Sequence, residues 1–292
     1  MEKKITAIPK NNLVLGTAQF FNNYGIIKKK NDNAINLLKI AIKNGCKYFD
    51  TSDLYGKSYK LVEKNQKNLK LIIKLSTNKN NKFISLKDFE KKIINILSEI
   101  KNNKIYGILI HDFNLKFAHK YDEYFDCLTN FCKNKKIKFG FSIYNIKEFY
   151  FLKKKFQFNL IQIPVNVFNR EFLNLKFIKF LKRKKVETHI RSIFLQGLLV
   201  NEFKYIPSKF KTYKKYFLRW ENFCDKLNIN KIEGCLNFLL NQKIKCKLVV
   251  GFKSEKEFLE ILNLKITKKK INYNEFNKIP LLLKSPNLWK KL

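Results

Sequence analysis

Four side chains able to do acid–base chemistry lie within the first 111 residues: Asp50 and Tyr55 in YFDTSDLYG, Lys74 in LIIKLS and His111 in ILIHD. A carboxylate, a phenol, an ammonium and an imidazole can together hold a proton donor, tune it and aim it at a polar substrate atom. Lys74 carries most of the signal. It is flanked by Ile72, Ile73 and Leu75, and a lysine inside such a run is almost never buried without a partner. Asp50, closing the neighbouring apolar run, is the natural counter-charge. Singly, Asp50 reads as a helix cap, Tyr55–Gly56 as a turn and His111 as a core histidine. Four such groups at the ends of three consecutive strands are poorly explained by chance.

The elements that would position them alternate along the whole chain. Short apolar runs at 13–18, 47–52, 69–76, 105–112, 138–144, 160–166, 187–193 and 247–252 read as strands. Between them lie amphipathic helical patterns. NAINLLKIAIKN sets Ile35, Leu38 and Ile42 on one face, and SLKDFEKKIINILSEIK opens on Ser85 as N-cap with Leu86, Phe89, Ile93, Ile96 and Leu97 in a stripe. EFLNLKFIKFLKR and SEKEFLEIL follow the same pattern, the latter with a capping box, Ser254 and Glu257. Strands apolar on both faces, each followed by a helix, imply a closed parallel sheet, the (β/α)8 barrel. A doubly wound open sheet is the alternative, but the first turn, GTAQFFNNYG, lacks G-x-G-x-x-G. No Gly/Ser linker divides the chain, so one domain is expected over 1–292, with 267–292 as a C-terminal extension. In such barrels the chemistry sits at the C-terminal strand ends.

Composition narrows the partners. The formal net charge is +38, which points toward polyanions. Yet of 61 basic residues only Arg170, Arg183, Arg191 and Arg219 are arginine, the residue favoured for bidentate phosphate and base recognition. The rest is a lysine coat spread end to end, so no specific nucleic-acid partner is expected. No apolar run approaches the roughly 18 residues of a membrane span, and the start MEKKITAIPKNN has no secretory pattern. Six scattered cysteines with no C-x-x-C fit free thiols in a reducing cytoplasm and no metal site.

Asp, Tyr, Lys and His in this order at these strand ends resemble the catalytic tetrad of the aldo/keto reductases. LVLGTAQFFNNYGI resembles that family's first strand and loop, YFDTSDLYGKS its Asp-Thr-x-x-x-Tyr-Gly segment, and FGFSIYN, IQIPVNVFNR and IRSIFLQGLL its later signature regions. The last two are most similar to a bacterial branch often encoded beside surface-polysaccharide genes. The resemblance implies an NAD(P)H-dependent reductase of aldehyde, ketone or sugar-like carbonyls, with NADPH preferred and NADH possible. Tyr55 is then the proton donor, and His111 orients the carbonyl. Lys74 is expected to lower the tyrosine pKa from about 10, and Asp50 to keep Lys74 charged.

For the cofactor, the resemblance places Gly16 and Thr17 near the nicotinamide ribose and Ser142 and Gln162 on the carboxamide. Asn145 departs from the family pattern, since Ile143 and Tyr144 separate it from Ser142. Arg191 stands where many members stack an aromatic ring on the nicotinamide, and a guanidinium plane can also stack. Ser192, Leu195 and Gly197 fall beside the pyrophosphate, and Lys253 and Ser254 in the phosphate site after the last strand. Glu257 lies where NADP-preferring members carry Arg or Gln, and a carboxylate there opposes a 2′-phosphate. The loops at 20–32 and 194–215 are the expected carriers of specificity, with Phe20, Phe21 and Tyr24 as pocket walls. Two other functions stay open: a non-catalytic NADP-binding partner barrel and a polyanion-binding protein. Substrate identity and oligomeric state are not legible.

Overall fold

The computed structural model of the chain describes residues 4–6, 8–21, 33–56, 58–65, 67–80, 82–101, 104–267 and 271–291. Eight strands close into a barrel: β1 Leu13–Gly16, β2 Tyr48–Ser52, β3 Lys70–Leu75, β4 Lys104–Ile110, β5 Lys138–Ser142, β6 Leu160–Pro164, β7 Glu187–Arg191 and β8 Lys247–Val250. Each pairs in parallel with its sequence neighbours, and β8 returns to β1. All eight expected strands are present. Most stop one or two residues early, where the chain turns into the loops that carry polar groups.

Helices cover the outside: α1 Ala34–Lys43, α2 Ser58–Asn65, α3 Leu86–Glu99, α4 Tyr121–Lys133, α5 Ile146–Lys155, α6 Leu175–Arg183, α7 Lys214–Lys226, α8 Lys231–Leu240 and α9 Glu255–Asn263. Ser85 caps α3, its hydroxyl accepting from the Asp88 N–H at 3.1 Å, and Phe89, Ile93 and Ile96 face inward. The segment 171–174, whose periodicity suggested a helix, is not helical. Asn174 caps α6 instead, accepting from the Phe177 N–H at 3.1 Å.

Inside the barrel Val14, Ile72, Leu109 and Leu160 interlock beneath the mouth, with Tyr48, Tyr106 and Val249 packed against them. The barrel is therefore a filled core that offers a floor to whatever binds above it. A side chain at Gly140 would collide with the Leu160 carbonyl, which fixes glycine at that close approach of β5 to β6. The extension packs against α7 and α8: Phe276 lies 5.4 Å from the Trp220 ring, and Tyr273 lies 5.2 Å from Phe238. Among the described residues no helix is long and apolar enough to cross a membrane.

Candidate active site

The pleat of a parallel barrel sends alternate side chains to the interior, and toward the C-terminal ends several of these are polar. Asp50 on β2 and Lys74 on β3 are 2% and 3% exposed and form an ion pair. The other Asp50 carboxylate oxygen accepts from Gln162 Nε2 on β6 at 2.7 Å, across the barrel, and Gln162 Oε1 accepts from Ser142 Oγ at 3.3 Å. Thr17 donates from both its hydroxyl and its N–H to the Asp50 carbonyl, at 3.0 and 2.9 Å. Asp50 is thus held by three residues, through its carboxylate and its backbone carbonyl. Above it, Lys74 Nζ lies 4.9 Å from the centre of the Tyr55 ring, and that ring meets His111 edge-to-face at 5.9 Å. The structure brings the carboxylate, ammonium, phenol and imidazole together, as their placement on three strand ends requires.

A second polar layer braces this group. Asp53, in the loop after β2, accepts from the Ser76 N–H at 3.1 Å and from Lys92 Nζ on α3 at 2.7 Å. Asp112, directly after His111, accepts from Ser76 Oγ at 2.5 Å, from Asn78 Nδ2 at 2.7 Å and from Thr77 through both its N–H and its hydroxyl. Ser52 Oγ connects the layers, 3.0 Å from His111 Nδ1 and 3.1 Å from Asp53 Oδ1. The loops after β2, β3 and β4 are thereby tied into one unit. Sequence reasoning passed over Ser52, Asp53, Lys92 and Asp112, although Ser52 and Asp53 sit between Asp50 and Tyr55. Their signal was polar residues where a strand enters its loop.

The electrostatics correct one expectation. Tyr55 is raised above the ordinary tyrosine value, first by burial and then by the Asp50 carboxylate, while Arg191 pulls the other way. The net direction is upward because burial and the Asp50 carboxylate outweigh the positive charge nearby. His111 is held well below the ordinary histidine value by burial, with Lys74 and Arg191 adding to the effect. At neutral pH the pair is a neutral phenol beside a neutral imidazole.

A cavity of about 500 Å3 opens from Asp50, Tyr55 and Lys74 and runs past Gly16, Arg191, Ser192 and Gly197 to Lys253, Ser254, Glu257 and Glu260. This size lies within the range of small-molecule and cofactor sites. Ser192, Leu195 and Gln196 adopt positive φ of 59°, 47° and 56°, and Gly197 follows at 99°. Such a run of left-handed residues is costly for non-glycine side chains and clusters at ligand clamps. Alternation with right-handed residues also turns backbone N–H groups into an anion-binding concavity.

A model of the Aldo/keto reductase family matches residues 12–280, most of the 292-residue chain. The chain belongs to that family. It is an NAD(P)-dependent oxidoreductase. Among solved structures it is similar to an aldo-keto reductase from Bacillus halodurans in its holo form, with TM-score 0.70 and 14% identity over 98% of this chain and 100% of that one. It is also similar to a glycerol dehydrogenase from Gluconobacter oxydans, with TM-score 0.67 and 16% identity over 92% and 94%. At these identities the likeness is one of fold. No curated protein matches the sequence.

As in any aldo/keto reductase, a nicotinamide cofactor is needed, and the cavity has the extent, the left-handed loop and the lysines to fit one. Of the residues the resemblance assigned to it, Gly16, Arg191, Ser192, Gly197, Lys253 and Ser254 line the cavity. Thr17, Ser142, Gln162 and Leu195 do not. All four are fully buried, and the first three are engaged with Asp50 or with each other. Arg191 stacks on Tyr144 at 4.4 Å and donates to the Ile143 carbonyl at 3.0 Å, so one face of its plane is already covered. Asn145 caps α5 in a capping box with Glu148. Phe20 packs into the core and lies off the cavity wall. Tyr24, and the whole of 22–32, falls outside the described residues, as does the side chain of Phe21.

Glu257 differs in detail from its expected role. Ser254 Oγ accepts from the Glu257 N–H at 3.3 Å, as a cap should, but the Glu257 carboxylate returns to the N–H of Lys253 at 2.8 Å. It therefore occupies a donor that an anion at the start of α9 would use, and it adds its own negative charge.

Proposed function

We propose that the protein reduces the carbonyl group of an aldehyde, ketone or sugar-like substrate, with Tyr55 as proton donor. The juxtaposition of Tyr55 with the Asp50–Lys74 pair at the inner end of one cavity, with the His111 ring edge-to-face against Tyr55, supports this reading. The bound nicotinamide supplies the hydride. Tyr55, kept neutral by burial, carries the proton that the developing alkoxide needs. Lys74, fixed by Asp50, presents positive charge beneath the phenol ring and eases its passage to phenolate as the proton leaves. Asp50 in turn is held by Gln162 and Thr17, so the charge pair costs little reorganisation when the reaction occurs. His111 stands beside the ring and fixes the substrate there.

The direction of the shifts sets a pH dependence. The donor must be protonated, and a phenol raised above about 10 stays so through the neutral and mildly alkaline range. Histidine lowered below its ordinary value stays neutral over the same range. The expected result is a kcat/KM for carbonyl reduction that is flat from about pH 6.5 to 9, with no alkaline limb due to Tyr55. An inflection between pH 7 and 8 that disappears in Tyr55→Phe would contradict it.

For the cofactor we propose NADPH with only a small preference over NADH. Lys253 and Lys256 favour the additional phosphate, and Glu257 with Glu260 on the same wall opposes it. In calorimetric titrations Glu257→Gln should tighten NADPH about tenfold relative to NADH, roughly 1.4 kcal/mol. An unchanged ratio would remove Glu257 from cofactor selection.

A further inference from the structure

The lysine coat runs end to end in the sequence but is uneven in space. All eight barrel strands are parallel, so every turn that leads into a strand lies at one end of the barrel, opposite the cavity mouth. These turns are 8–12, 43–47, 64–70, 99–104, 133–138, 153–159, 182–187 and 241–247. Their 49 residues hold 22 of the 61 basic residues and two acids, Glu99 and Glu187. Both acids are already engaged. Glu99 accepts from Tyr59 at 2.6 Å and from Lys60 at 2.7 Å, and Glu187 pairs with Lys138 and His189. The mouth end is mixed, with Asp53, Asp112, Glu148, Glu171, Glu202 and Glu257 among its lysines. A compositional excess of lysine would load both ends alike. The helix dipole favours lysines in the last helical turns, but it does not reach those beyond them, such as the exposed Lys135, Lys136, Lys184 and Lys185.

The centre of this face is filled. Lys247 and Lys70 stand 4.2 and 4.9 Å from the centre of the Tyr48 ring, Lys138 stands 5.0 Å from that of Tyr106, and both tyrosines pack on the barrel core. Around it lies a broad ring of ammonium groups encircling the barrel axis. A nucleic acid is a narrow rod that would meet only the turns along one diameter. It is also held best by arginine forks and open stacking rings, whereas these turns carry one arginine, Arg183, and the central rings are covered by lysines. A plane meets all the turns at once, and lysine point charges suit anionic headgroups. We infer that the protein docks peripherally on an anionic membrane surface through this end of the barrel, with the cavity mouth turned to solvent. The contact is electrostatic, reversed by salt, and needs no spanning helix.

Sedimentation with lipid vesicles tests this. The protein should bind phosphatidylcholine vesicles containing about one-third phosphatidylglycerol, and not pure phosphatidylcholine. Combining Lys135→Glu, Lys154→Glu, Lys184→Glu and Lys243→Glu reverses an exposed charge in each of four turns. This variant should bind at least about tenfold more weakly. Combining Lys79→Glu, Lys87→Glu, Lys147→Glu and Lys176→Glu changes the net charge equally at the mouth end, and should stay within about threefold of the wild type. Circular dichroism should be the same for all three proteins. Equal losses in the two variants would overturn the assignment to one face, and no binding to the anionic vesicles would overturn the membrane. Tighter binding to duplex RNA than to vesicles of equal phosphate content would give the face to nucleic acid instead. A readout on the wild type alone is lysine acetylation followed by mass spectrometry. Anionic vesicles should slow it at Lys135, Lys154, Lys184 and Lys243 and leave Lys79, Lys87, Lys147 and Lys176 unchanged, whereas even slowing would contradict the orientation.

Discussion

Tyr55→Phe is expected to lower kcat/KM for carbonyl reduction by about 10²–10⁴-fold, the range that a positioned general acid supplies. Cofactor affinity should be nearly unchanged. The phenol ring itself rests over Lys74 and against His111, so phenylalanine preserves the packing and removes only the proton. No hydrogen bond to the rest of the protein is needed to hold the ring, and stability should stay close to wild type. The combination is diagnostic. A loss of turnover accompanied by a loss of cofactor binding would mean that the ring is a wall of the cofactor site and that the proton comes from elsewhere.

The largest structural effect is expected at Lys74. Lys74→Met leaves the Asp50 carboxylate buried, with Gln162 as its remaining side-chain donor. Removing one partner of a buried ion pair costs about 3–5 kcal/mol, which for a chain of this size lowers Tm by roughly 5–15 °C. Replacing both partners, as Asp50→Asn with Lys74→Met, should recover most of that loss. Gln162 can still donate to the asparagine oxygen, and no lone charge remains. The double-variant cycle then isolates a coupling of the size expected for touching residues. Activity should not recover with stability, because the ammonium beneath the phenol is still missing. Thermal melts and turnover on the same four proteins check this, and a double variant that regains activity would show the pair to be scaffolding alone.

The pairing of Lys74 with Asp50 was legible because burial of a lysine is so costly that the partner can be named from neighbouring strands. The barrel was legible for a related reason: strands apolar on both faces have few architectures open to them. The polarisation of Tyr55 was not. Its direction depends on how deeply the ring is enclosed and on how the Asp50 carboxylate weighs against the positive charge nearby, and neither has a pattern in one dimension. Ser142 and Gln162 show the same limit. Their residues stand opposite each other on β5 and β6, and only the closed barrel reveals that Gln162 reaches across it to Asp50. The capping of α6 by Asn174 is a local contest between periodicity and a side-chain acceptor, which the acceptor won. Ser52 and Asp53 escaped notice because hydroxyl and carboxylate residues at strand ends are common, and their meaning lies in the distance to His111.

The central claim is tested most directly by following deuterium. The wild-type protein is incubated with glycolaldehyde and with NADPH or NADH deuterated at the nicotinamide C4, and the alcohol product is analysed by mass spectrometry. Reduction predicts an alcohol carrying one deuterium on the former carbonyl carbon, formed by the wild type and nearly absent with Tyr55→Phe. A folded, cofactor-bound wild-type protein that yields no deuterated alcohol from this or any other aldehyde, ketone or sugar would contradict it, and would leave a nicotinamide-binding barrel that does no carbonyl chemistry.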